Sequence, residues 1–232
     1  MPGSKLTTFE EFKKLLKDNM TIMVGGFMTD GTPEQLIDAV LETGVKNLTL
    51  IANDAGYPER GTGKNDAGYP ERGTGKLIGN GRVKKLIASH IGLNPNAGKL
   101  LNSGDMEILL VPQGTLAECI RAKGAGLGGI LTPTGLGTLV QNGKDVIEID
   151  GRKFILEKPL SADLALIDAS YADKFGNGVN IGTTRNFNPV MALAADIVVL
   201  GTYVVKEIGE LNPSMITIHG VLVDHIVKIK EV

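Results

Sequence analysis

Thr21-Ile22-Met23-Val24-Gly25-Gly26-Phe27-Met28-Thr29-Asp30-Gly31-Thr32-Pro33 decides the fold. Its first four residues are an apolar run of strand length, and Gly25 to Gly31 read as a loop. Thr32 is then expected to cap a helix, with Pro33 at its first position and Gln35 completing a capping box. Leu36, Ile37, Val40 and Leu41 give that helix an apolar face, and Gly44 ends it. A strand, a glycine turn and a capped helix are the repeating unit of a parallel α/β sheet.

The same alternation continues on both sides. Thr8 to Lys17 predicts a helix opened by a Thr8/Glu11 capping box. Leu48 to Ala52, Val83 to Ser89, Glu107 to Val111, Asp163 to Ala169, Ile197 to Leu200 and Val221 to Ile229 read as strands. Thr115 and Glu118 are expected to cap a helix running to Lys123, and Asn188-Pro189 to open another through Ala195. Asp150-Gly151 joins two alternating segments, Val146 to Ile149 and Lys153 to Leu156, as a hairpin. The expectation is one α/β domain over residues 1–232, a mostly parallel sheet with helices on both faces.

Composition narrows the function. The chain has 232 residues, 42% of them hydrophobic, with 24 Lys+Arg against 26 Asp+Glu and a net charge of −2. There is no basic excess for nucleic acid. There is no Trp, and aromatics are 4%, so stacking platforms for bases are few. Cys119 is the only cysteine, which excludes an internal disulfide and a cysteine metal cluster. No apolar run suits a signal sequence or a membrane span, and a cytoplasmic protein is expected. His90, His219 and His225 lack metal-ligand spacing, so no metal is expected.

Asn53-Asp-Ala-Gly-Tyr-Pro-Glu-Arg-Gly-Thr-Gly-Lys64 recurs without change as Asn65 to Lys76. Two copies do not make a solenoid, and the Gly, Pro, Asn and Asp content reads as loop. Asn53 directly follows a strand, so it is expected to hold the functional position in preference to Asn65, with the surplus residues looped outward. The opposite register, with the second copy in place, is the alternative.

Glycine loops at strand ends are where α/β sheets place ligands, because backbone N–H groups can approach an anion closely. Gly25 and Gly26 are such candidates. Gly124-Ala-Gly126-Leu-Gly128-Gly129 matches the dinucleotide spacing but follows a helix, so nicotinamide binding is not expected. Asn53 and Gln113 each follow a strand end and are neutral amides able to bind a carboxylate or carbonyl. The residues alone support an acid- or phosphate-binding α/β domain.

Asp18 to Pro33, with its apolar strand, Gly25-Gly26-Phe27 and Gly31-x-Pro33, resembles the α-subunit signature of family I coenzyme A transferases. Leu48 to Asn53, Val83 to Gly92, Pro112-Gln113-Gly114-Thr115, Gly124 to Thr138 and Arg185-Asn-Phe-Asn-Pro189 are also similar to that family, nearest to its acetate and butyrate–acetoacetate members. The resemblance implies the three-layer sandwich shared with sugar-phosphate isomerases. It implies ping-pong transfer of CoA between short-chain carboxylates, with coenzyme A or acyl-CoA as substrate and no permanently bound cofactor. The family's nucleophilic glutamate sits in a Ser-Glu-Asn-Gly stretch of the β subunit, and no such stretch occurs here. A β-subunit partner is therefore expected, and no catalytic nucleophile in this chain. Gly25, Gly26 and Phe27 would wall the acyl group, and Asn53 and Gln113 would hydrogen-bond the substrate. Gly124, Gly126, Gly128 and Gly129 would lie near the CoA path or the subunit boundary. Leu200-Gly-Thr202, Ile218-His219-Gly220 and Asn180 depart from the family pattern. A non-catalytic sugar-phosphate or organic-acid binding module on the same fold is the alternative from another class.

Overall fold

The structure is a computed structural model that describes residues 3–58 and 71–230. Its strands are β1 (Leu6–Thr7), β2 (Thr21–Val24), β3 (Leu48–Ala52), β4 (Val83–Ala88), β5 (Glu107–Leu110), β6 (Ile130–Thr132), β7 (Val146–Ile149), β8 (Arg152–Glu157), β9 (Ala162–Asp173), β10 (Gly178–Val179), β11 (Ala195–Lys206) and β12 (His225–Lys228). The α-helices are α1 (Phe9–Lys13), α2 (Glu34–Thr43), α3 (Gly75–Gly79), α4 (Pro95–Ser103), α5 (Gln113–Gly124) and α6 (Asn188–Met191).

The main sheet runs β1-β12-β11-β9-β2-β3-β4-β5 with every neighbouring pair parallel, and β10 adds antiparallel to β9. Strand side chains alternate between two cores. Ile22, Val24, Leu48, Leu50, Leu86 and Ala88 pack with Phe12 of α1, Leu36, Ile37 and Val40 of α2, Leu77 of α3 and Ala97 of α4. Met23, Ile51 and Ile87 face the other way, onto Leu116 and Ile120 of α5 and Met191 of α6. Burial on both faces is what lets these strands be nearly continuous apolar runs. The expected three-layer α/β sandwich is thus the observed one. A second sheet, β6-β8-β7, is antiparallel. Its β7–β8 turn has Asp150 at φ 50° and Gly151 at φ 74°, the left-handed pair that suits strand twist.

Several local expectations change. The Thr8/Glu11 capping box is present, but α1 stops at Lys13 rather than Lys17. Thr32 does not cap α2: the N-cap is Pro33, which makes no side-chain bond. Gln35 instead exchanges two hydrogen bonds with the backbone of Lys230, tying α2 to the chain beyond β12. Likewise α5 begins at Gln113 after an N-cap at Pro112, so Thr115 is a buried residue inside the helix. The helix opened by Asn188 closes at Met191, and Ala195 already belongs to β11. The closing strand is only His225–Lys228, because Gly220–Leu222 form a 3-10 turn.

The repeat also departs from an all-loop reading, since Gly75 and Lys76 begin α3. Tyr57 and Arg72 form an isolated antiparallel bridge, with N–H to O distances of 3.0 and 3.1 Å. Residues 53–58 come from the first copy and 71–76 from the second. Read across the bridge, they spell one complete copy. Asn53 stands directly after β3, as expected of the first copy, and the second copy contributes Gly75 and Lys76 to α3. Arg72, Gly73 and Lys76 dock on Glu34 of α2, Gly73 through its backbone N–H and Lys76 at 2.8 Å. Asn65 lies outside the described residues, as do the surplus residues expected to loop outward.

Asp168, in β9, is 6% exposed, and its Oδ1 has no hydrogen-bond partner among the described residues. Burial, and then the charge of Asp30, push its carboxyl up to about 7 from 3.8. Between those two pH values the folded chain holds a proton that the unfolded chain has lost. Stability therefore falls as pH rises through that window, and the penalty is complete above about pH 7.

Two outcomes follow from these features. Deleting residues 59–70, which leaves a single uninterrupted copy, should leave Tm unchanged or raised by differential scanning calorimetry, since shortening a loop costs nothing in closure entropy. Asp168→Asn should raise Tm at pH 8, and the gap from the parent should close as the pH is lowered toward 4. An equal gap at both pH values would mean that the side chain does not titrate in this window.

Candidate active site

The site lies at the C-terminal edge of the parallel strands, where β2, β3 and β9 end. The chain leaves β2 through Gly25 and Gly26. A Cβ on Gly25 would overlap the Asn188 side-chain oxygen, and one on Gly26, at φ 114°, would overlap the Thr32 hydroxyl. Both positions therefore require glycine. Phe27 and Asp30 then pair backbone to backbone at 3.0 Å in both directions. The two residues between them, Met28 and Thr29, stand at φ 50° and 71°. This is a tight turn of the I′ kind built without glycine. A β-branched residue there costs of order 1–3 kcal/mol, the kind of strain that persists only where surrounding contacts enforce it.

Asn188 enforces part of it. Fully buried at the start of α6, it accepts the Asp168 backbone N–H at 2.9 Å. It donates to the carbonyls of Gly31 at 2.9 Å and Thr184 at 2.8 Å. One amide thus joins the glycine loop, β9 and the 3-10 turn Gly182–Arg185.

The second anchor is Asn53, directly after β3 and 2% exposed. Its Oδ1 accepts Gln113 Nε2 at 2.6 Å and the Ser89 hydroxyl at 3.2 Å. Its Nδ2 donates to Asp54 Oδ2 at 2.8 Å. Gln113, 60 residues away, is brought over Asn53 because it is the first residue of α5 and β5 lies two strands from β3. Gln113 is exposed, so it presents its amide outward while Asn53 holds it from behind.

Phe27 and Gln113 line one cavity of about 600 Å³, together with Arg121, Arg185, Asn186 and His219. Gly25, Gly26, Asn53 and Asp54 line a narrow crevice next to it. The structure therefore gathers Gly25, Gly26, Phe27, Asn53 and Gln113 at one edge. Gly124 is elsewhere in role, pressed against Leu193, and Gly129 against the Glu157 carbonyl, so close packing accounts for both glycines. None of Gly124, Gly126, Gly128 and Gly129 lines the cavity.

Arg121, Arg185, Asp54 and Asn188 were not singled out as site residues from sequence. Only Asp54 carried a local signal, as the acid following the strand-end Asn53. Cys119 is a buried thiol: burial, and then the charge of Glu157, push it up to about 11. Among the described residues no group of three His, Cys, Asp or Glu is placed to hold a metal ion, and no helix is long and apolar enough to cross a membrane.

Comparison with known proteins gives concordant matches. A family model described as Coenzyme A transferase matches residues 7–229. The acetate CoA-transferase subunit alpha of Escherichia coli K12 is 50% identical over 228 residues, covering 98% of each chain. The acetoacetyl-CoA:acetate/butyrate CoA transferase alpha subunit of Clostridium acetobutylicum is 48% identical over 226 residues, covering 97% of this chain and 98% of its own. An acyl-CoA transferase of E. coli O157:H7, solved as a thioester complex with CoA, superposes with a TM-score of 0.82 at 23% identity. It covers 98% of this chain, which spans 48% of that longer one. Glutaconate coenzyme A-transferase from Acidaminococcus fermentans superposes at 0.81 with 21% identity, covering 98% of this chain and 76% of its own. At these identities the two structures speak to the fold.

Proposed function

The chain belongs to the coenzyme A transferase family, and from that premise we propose that it is the α subunit of a short-chain acyl-CoA:carboxylate CoA-transferase acting on acetate, butyrate or acetoacetate. The observation that carries the reading is the pair of joined amides at the cavity, Gln113 on Asn53 at 2.6 Å, in a chain half identical to α subunits of such enzymes. A primary amide has two N–H donors. Gln113 spends one on Asn53 and keeps one for a substrate oxygen.

The chemistry needs a carboxylate nucleophile, which we assign to a glutamate of a β subunit. That carboxylate attacks the acyl-CoA carbonyl, the C–S bond breaks, and CoA leaves as thiolate. The thiolate then attacks the glutamyl carbonyl of the mixed anhydride. The bond between the glutamyl carbonyl carbon and the bridging oxygen breaks, releasing the first acid as its carboxylate and leaving an enzyme–CoA thioester. A second carboxylate reverses the two steps. Each addition places negative charge on a carbonyl oxygen, and splitting one hard transfer into such steps is covalent catalysis. The work of this chain is to receive that charge. Gln113 donates to the oxygen, Asn53 fixes Gln113, and the Gly25-Gly26-Phe27 turn walls the acyl group. Short acids suit a wall formed by Phe27, itself 41% exposed toward the cavity. We assign the neighbourhood of Gly124 to Gly129 to the CoA path or the subunit boundary. The twelve-residue duplication stands as an insertion within one domain.

Two outcomes test this. The isolated chain should give no CoA exchange between acetyl-CoA and acetoacetate or butyrate, measured by thioester absorbance, and exchange should begin on adding a β subunit. Robust turnover without a partner would refute the division of labour. In the assembled enzyme, Gln113→Ala should lower kcat by roughly 10- to 1,000-fold, the range for losing one oxyanion donor. Thermal stability should change little, because the side chain is exposed.

A further inference from the structure

Three backbone or side-chain N–H groups converge on one carboxylate beside the site. Asp54 Oδ2 accepts the Met28 backbone N–H at 2.8 Å and Asn53 Nδ2 at 2.8 Å. Asp54 Oδ1 accepts the Gly56 backbone N–H at 2.9 Å. The residue's own carbonyl accepts the Thr74 hydroxyl at 3.1 Å. Strand alternation explains the placement. Asn53 continues the side of the sheet on which Ile51 meets α5, and Asp54 falls on the opposite side, toward α2 and α3. It can therefore reach the turn after β2 while its neighbour reaches Gln113.

We infer that Asp54 is a positioning residue for the transfer reaction, anchoring the line Asp54–Asn53–Gln113 and the Phe27 turn at the same time. The inference rests on the proposed role of Gln113. Its physical basis is the sense of the hydrogen bonds. A primary amide can turn by half a rotation and exchange its oxygen for its nitrogen. Were Asn53 to turn, its NH₂ would face the NH₂ of Gln113, and two donors would meet. A carboxylate only accepts, so Asp54 holds Asn53 with Nδ2 toward itself and Oδ1 toward Gln113. Gln113 is then held with one N–H on Asn53 and the other without a partner among the described residues. Charge on the acceptor strengthens the first link, and hydrogen bonds in series reinforce one another. The other link, to the Met28 N–H, holds a turn whose central residues stand at positive φ. Both walls of the acyl site thus depend on one side chain that no substrate need touch. Only a carboxylate serves, because three donors need acceptors on both oxygens and an amide offers one.

The test uses the assembled α and β subunits. Asp54→Asn keeps the shape and removes one acceptor. It should lower kcat by roughly 10- to 100-fold, as expected when a donor is misplaced by about an ångström. In the Gln113→Ala background it should lower kcat by clearly less than in the parent, the remainder being what the Phe27 turn loses, a coupling that a merely structural role would not produce. If Gln113→Ala alone leaves kcat unchanged, the proposed function of Gln113 fails and the inference falls with it. If Gln113→Ala is slow while Asp54→Asn is fully active, the inference alone is overturned. Independent, multiplicative losses in the double variant would also overturn it. Should Asp54→Asn not assemble, the side-chain ¹⁵NH₂ signal of Asn53 in the unsubstituted protein decides. One proton shifted downfield and slow to exchange supports the anchor, and two solvent-like protons reject it.

Discussion

A parallel sheet ends in a row of unpaired backbone groups, and in this protein buried asparagines satisfy them. Asn94, Asn180 and Asn188 are each at most 8% exposed and all stand in the segments that follow the strands or border them. Asn94 donates to the Ala55 carbonyl at 2.8 Å and caps α4 with its oxygen. Asn180 donates to the carbonyls of Asp168 and Thr184, and Asn188 to those of Gly31 and Thr184. Buried backbone polar groups must find partners, and a side chain with both donor and acceptor can satisfy two loops at once. These cross-links join loops that leave different strands, and they help to fix the wall of the cavity.

The glycines follow from the asparagines. Asn188 occupies the space a side chain on Gly25 would need, and Thr32 the space one on Gly26 would need. The chain is thus drawn tight after β2 and must reverse within four residues, which puts Met28 and Thr29 at positive φ. Strain of this kind is retained where it serves a geometry, and here the geometry is the orientation of Phe27 at the cavity. Donors held in place before substrate arrives cost no reorganisation when charge develops. The same fixed asparagines that complete the fold therefore also prepare the site.

The strands were legible because double-sided burial leaves an apolar run that needs no context, so β2 and β3 stand where the sequence puts them, at Thr21–Val24 and Leu48–Ala52. The hairpin at Asp150-Gly151 and the Thr8/Glu11 box were legible because their chemistry is local. Helix starts after proline were misread. Thr32 and Thr115 have the right spacing to cap, but Pro33 and Pro112 already fix the entry, and no side-chain bond forms there. Gln113 was found as a strand-end amide without its helix. The repeat shows the limit of local reading most clearly. Its two copies are identical, so nothing within them says which residues meet α2 or pair as Tyr57 and Arg72 do. The contacts to Glu34 and the Tyr57–Arg72 bridge decide it, and both are tertiary. The hydrogen-bonding partners of Asp54 were illegible for the same reason, since Met28 lies 26 residues away.

The character of the site suits charge that appears during a reaction better than charge already on a substrate. Gln113, Asn53 and the glycine turn are neutral, while Arg121, Arg185 and His219 border the wider cavity. A cation at the centre would attract a carboxylate as strongly before the reaction as during it. That binds substrate without lowering the barrier, and only interactions stronger in the transition state accelerate the chemical step. A carboxylate carries its charge on two oxygens, whereas the addition steps concentrate charge on one former carbonyl oxygen. A single amide proton, fixed in direction by Asn53 and Asp54, is well matched to that one oxygen and poorly matched to a diffuse anion. The negative charge of Asp54 does not spoil this, because three N–H groups already occupy it on the far side of the amides. The arrangement also fits the proposed division of labour, in which the nucleophile comes from another chain: the line of amides is already held by hydrogen bonds within this one.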